Sequence, residues 1–90
     1  MFYKGEYLQT IGEVFDVALK LAKNGTYAEQ EAFFEAYASA CARDNNLSTN
    51  DGIRLAENNL GWFSGYCDNE TVNLISKTYR HHLDYGKQTS

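Results

Sequence analysis

The chain contains no proline. Proline breaks helix interiors and stiffens linkers, so its absence suits a run of uninterrupted helices and excludes a proline-rich spacer. Cysteine is nearly absent too: Cys41 and Cys67 are too few and too far apart for a disulfide framework. No apolar run approaches the ~20 residues that cross a bilayer, and Met1–Tyr7 lacks the apolar centre of a secretory leader. These absences predict a soluble cytoplasmic protein with reduced thiols and no membrane partner. Basic residues are scarce, 8 against 12 acids for a net charge of −4. Residues 1–47 hold seven acids and four bases, and 48–90 five and four. Such a balance repels phosphate backbones and argues against nucleic acid as the partner.

What is present reads as one folded domain over residues 1–90, with 43% hydrophobic and 14% aromatic residues. Apolar positions recur at helical period through most of its length. A first helix is predicted over 6–23, carried by Leu8, Ile11, Phe15, Ala18, Leu19 and Ala22 and stopped by Asn24-Gly25. Phe2 and Tyr3 are expected to tuck against the body. Thr26-Tyr27-Ala28-Glu29 has the form of a capping box and opens a second helix, 26–43, antiparallel to the first. Its core stripe is Tyr27, Gln30, Phe34, Tyr37, Ala38 and Cys41. The polar stretch from Asp44 ends at Ser48, the N-cap of a third helix over 49–67. That helix has two apolar faces, Ile53, Ala56, Leu60, Phe63 and Cys67 on one and Leu55, Trp62 and Tyr66 on the other, which predicts a central position. Asp68-Asn69 caps a fourth helix over 70–83, stopped by Gly86, with 87–90 as a frayed tail. The fold class predicted is all-α, a single-domain bundle of about four helices with the third helix central.

The chain is organised around residues 58–67, which hold the only Trp, a Phe, a Tyr and Cys67. Gly61 and Gly65, four apart, share a helix face and would form a groove, with Trp62 and Tyr66 as an aromatic ridge beside it. Each helical glycine costs about 1 kcal/mol against alanine, so the pair calls for a packing or contact reason. Gly61 is expected to pack against a neighbouring helix of the same chain, and Gly65 against a partner or another subunit.

Chemistry-bearing constellations are weak. Zinc sites draw ligands from close pairs, whereas Cys41 and Cys67 are isolated and His81 and His82 point ~100° apart on a helix. A calcium loop between Asp44 and Glu57 fails on the positions of its Gly and Glu. Both cysteines fall on core stripes, where thiols are inert. No triad, phosphate loop or cofactor motif is present, so the chain is read as a non-enzyme without cofactor or metal. Lys77, Arg80 and His81 form a basic cluster near the end of the fourth helix. They complement the helix dipole, and alternatively they would hold a small anionic or nucleotide-like ligand.

The run Asn59-Leu60-Gly61-Trp62-Phe63-Ser64-Gly65-Tyr66, followed by a capped helix, resembles small uncharacterised helical proteins of bacteriophages and integrated mobile elements. The resemblance covers about a third of the chain and implies an accessory protein that acts by binding. Seven Tyr, five Phe and one Trp also exceed what a core of this size hides, and aromatics are favoured at interfaces. The residues expected to protrude are Tyr3, Tyr7, Tyr27, Phe33, Trp62, Tyr66 and Tyr85. The function expected is therefore a protein–protein interaction or oligomerisation module. Its partner would be a host protein or a second copy, met through Gly61, Trp62, Gly65 and Tyr66.

Overall fold

The structure, a computed structural model, describes the backbone of residues 1–89 and the side chains of residues 1–79. It opens with a small antiparallel hairpin, β1 (Phe2–Tyr3) and β2 (Glu6–Tyr7), in which Phe2 faces Tyr7 and Tyr3 faces Glu6. Lys4 (φ 49°) and Gly5 (φ 82°) form its two-residue turn. Positive φ at both central residues is the turn that matches strand twist, and glycine takes the second position without strain. Main-chain bonds of 2.7 and 2.8 Å between Met1 and Leu8 extend the ladder.

The hairpin corrects the expected start of the first helix. Helix α1 spans Ile11–Asn24 rather than beginning near Glu6. Its N-cap is Thr10, whose hydroxyl accepts from the Glu13 amide at 3.2 Å. The Thr-x-x-Glu pattern at 10–13 wins over the apolar period upstream because the Lys4-Gly5 turn has already committed those residues to strands. Leu8 is buried all the same.

Helix α2 (Tyr27–Asp44) starts from the expected capping box. The Thr26 hydroxyl accepts from the Glu29 amide at 3.2 Å, and the Glu29 carboxylate accepts from the Thr26 amide at 3.0 Å. Gln30 donates to the Leu21 carbonyl at 2.9 Å, closing the α1–α2 corner. Phe33, expected to protrude, is fully buried, and Tyr27, placed in the core stripe, is exposed. Tyr27 sits at the very start of α2, where the turn carries it past the end of the core.

Helix α3 (Thr49–Ser64) is capped by Ser48, which accepts from the Asp51 amide at 3.2 Å. It buries Gly52, Ala56, Leu60 and Ser64 at four-residue steps. It packs against all three other helices, most extensively on α2, which gives it the expected central place. Helix α4 (Asn69–Thr89) runs past the expected end near 83. Asp68 caps it, accepting from the Thr71 amide at 2.8 Å. Ile75 and Tyr79 bring α4 into the core, where Tyr79 lies against Phe33 and Phe34 and donates to the Ala18 carbonyl of α1. Residues 87–89, expected as a frayed tail after a stop at Gly86, continue the α4 backbone, and residue 90 lies outside the described residues.

The result is an all-α bundle of four helices with a two-strand appendage. Its radius of gyration of 12.2 Å matches the ~12 Å of a single compact body of this length. No helix among the described residues is long and apolar enough to cross a membrane.

Candidate functional site

The second half of α3 carries the aromatic run. Leu60 and Ser64 turn inward, where the Ser64 hydroxyl donates to the Gly61 carbonyl at 2.8 Å. With those positions facing the core, the helical period sends 61, 62, 65 and 66 to the surface. Trp62 is 61% exposed and Tyr66 75%. Their rings stand edge to face, 5.3 Å apart at 78°, the arrangement that aromatic quadrupoles favour. Phe63 anchors the run from the other side, its ring 4.7 Å from that of Phe15 on α1. The expected ridge is thus present, and Trp62 and Tyr66 protrude as expected.

The glycines divide differently from expectation. Among the described residues, a Cβ on Gly61 would meet nothing within 4 Å, so none of their side chains fills that groove. The expected intramolecular packing at Gly61 is therefore corrected. Gly65 ends α3 in a right-handed conformation (φ −60°, ψ −17°), its amide shared between the Gly61 and Trp62 carbonyls at 3.2 Å. The close approach lies one half-helix earlier. A Cβ on Gly52 would stand 2.6 Å from the Ala42 Cβ and 2.7 Å from the Ala38 carbonyl oxygen. The signal in the sequence was paired spacing, Gly52 with Ala56 on one helix and Ala38 with Ala42 on the next, both four apart.

Beside Trp62, between α3 and α4, lies a cleft of about 250 Å³ floored by Leu60 and Ile75 and edged by Asn58, Gly61 and Ser76. A second, of 390 Å³, opens between the hairpin and the α1–α2 corner over Val17 and Leu21. It is spanned by a 3.5 Å pair between Lys4 and Glu29 on its rim.

Of the other residues expected to protrude, Tyr7 and Tyr27 are exposed, Tyr3 is half-buried with its ring edge-on to Phe33, and Phe33 is wholly buried. Tyr85 lies outside the described side chains. Phe2, expected to tuck in, is 74% exposed and stacks on Tyr7 at 5.0 Å, because the hairpin turns that strand face outward.

Of the basic cluster, Lys77 is exposed on α4, while Arg80 and His81 lie outside the described side chains. Cys41 is buried, and that burial pushes its thiol above the usual range, which favours the unreactive protonated form. Cys67 is half-buried just beyond α3. Among the described residues no three metal-ligating side chains come together. Burial likewise raises the phenols of Tyr37 and Tyr79. Tyr37 accepts from Asn59 at 3.1 Å, so this pair ties α2 to α3 structurally. Comparison of the chain with family models, curated proteins and solved structures yields no match.

Proposed function

We propose that this protein is a non-enzymatic interaction module that meets another protein through the outer face of α3, with Trp62 and Tyr66 as anchors. One observation carries the reading. The only tryptophan and an adjacent tyrosine stand in mutual contact on the surface, beside a cleft, while the core closes without them. Single exposed apolar residues need no explanation, but paired large aromatics at a cleft have the composition of interface hot spots. Gly61 supports it, because nothing among the described residues requires a helix-weakening glycine there. The likeness of residues 59–66 to small phage and mobile-element proteins adds an accessory role, modulating a partner by binding it.

The test is a photo-reactive phenylalanine analogue at position 62, with position 16 on exposed Asp16 as control. Irradiation in cells that carry the protein should yield a defined covalent adduct from position 62 and none from position 16. Adducts that are absent, or equal at both positions, would refute the reading.

A further inference from the structure

We infer that the partner of this face is a second copy of the chain, docked across a two-fold axis that passes close to Gly61. The inference rests on the interaction reading above and names its partner.

Charge pattern carries it. In a two-fold contact the same patch serves both copies, so a charged side chain near the axis faces its own like charge. Residues 58–67 contain no Asp, Glu, Lys or Arg, in a chain of which 22% of residues are charged. The outward positions of that run are Asn58, Gly61, Trp62, Gly65 and Tyr66, all neutral. Across the cleft α4 presents Ser76, also exposed and neutral. Glu57 lines the cleft but is half-buried; among the described residues, exposed formal charge begins at Arg54 and Asp68, beyond either end of the run, and on α4 Lys77 follows Ser76 but does not line the cleft.

A foreign partner of a −4 protein would gain orientation and association rate from complementary charge. This face offers none. To an equally acidic copy, however, a neutral face is where two such molecules can approach without repulsion. Charge depletion with aromatic enrichment is also the composition of an interface centre. Gly61, with no described atom within 4 Å of its Cβ position, lets the two helices come close at the axis.

Area sets the strength. Two part-exposed aromatics of roughly 150–250 Å² each and their small neighbours fall short of the ~800 Å² per partner of a standard interface. The dimer is therefore weak and concentration-dependent.

The experiment is sedimentation equilibrium from ~10 µM to ~1 mM, spanning weak affinities, with Trp62 emission read on the same samples. The mass should rise from 10.2 kDa towards twice that value. The emission, from the only tryptophan, should shift to shorter wavelength along the same curve. Trp62→Ala should abolish the rise. Gly61→Asp and Gly61→Lys, whose Cβ would meet no described atom within 4 Å, should each weaken association about tenfold or more. Mixing these two variants should restore it, since opposite charges then meet at the axis. Circular dichroism checks that every variant keeps the wild-type helix content.

A single mass up to ~1 mM would overturn the inference. So would a dimer that survives Trp62→Ala, or a mixture no tighter than either charged variant alone. A monomer that still gives position-62 adducts with a different protein would remove the second copy as partner and leave the interaction reading standing.

Discussion

Glycine shows how little a residue type says before its neighbours are known. Gly52 and Gly61 both lie inside α3, yet one is pressed against α2 and the other is open to solvent. Gly52→Ala would set a methyl 2.6 Å from the Ala42 Cβ and 2.7 Å from a backbone oxygen, and a helix carbonyl cannot give way as a side-chain tip can. Overpacking of this kind costs typically 1–3 kcal/mol, more than the ~1 kcal/mol alanine returns in helix propensity. Urea melts should therefore show Gly52→Ala destabilised and Gly61→Ala stabilised by up to ~1 kcal/mol. Equal shifts of the same sign would contradict the packing described here.

At the scale of the element, the helices are set by their N-termini more than by their apolar stripes. Thr10, Thr26, Ser48 and Asp68 each accept from the amide three residues on. Thr26→Ala should cost about 1 kcal/mol, read as a lower urea midpoint with unchanged slope. Two carboxylates extend the argument to pH. Glu29 is held below the usual range chiefly by the Thr26 backbone amide, and Asp68 chiefly by the Thr71 side chain and then its amide. For both, the folded pKa lies under the unfolded one. Their contribution is thus complete above the unfolded value near 4 and lost as pH falls through the folded value. Wild-type stability should decline on the acid side below about pH 4.5. Asp68→Asn, which can still accept at the cap, should start lower at neutral pH and fall less steeply in acid. An acid limb identical to wild type would exclude Asp68 as a contributor.

Over the whole molecule, two buried phenols tie separate helices together. Tyr79 on α4 donates to the Ala18 carbonyl of α1, and Asn59 on α3 donates to Tyr37 on α2. Burial raises both phenols, so their ionised forms are disfavoured only in the folded state. The sign is opposite to that of the carboxylates: this stability is complete below the unfolded value near 10 and lost as pH rises through the folded value. The check is an alkaline titration that follows phenolate absorbance and helix content together. Tyr37 and Tyr79 should ionise only as helix content collapses. Tyr79→Phe should remove one late phenol and lower stability by about 1 kcal/mol, the usual net worth of a buried hydrogen bond. A single smooth titration with the helices intact would overturn this account of the core.

Sequence periodicity alone determined the four helices and the α1–α2 corner, because helical spacing and caps are local properties that about twenty residues suffice to express. It also singled out Trp62 and Tyr66. Their exposure was decided by the tertiary structure: a second apolar face on a helix reads the same whether another helix or solvent lies against it. The N-terminal hairpin was missed because two-residue strands have no period to detect, and its signal was the Lys4-Gly5 turn. The exchange of roles between Gly52 and Gly61 was beyond reach for a related reason. Which glycine meets a backbone depends on where α3 crosses α2, and that crossing is set by side chains some ten residues away on another helix.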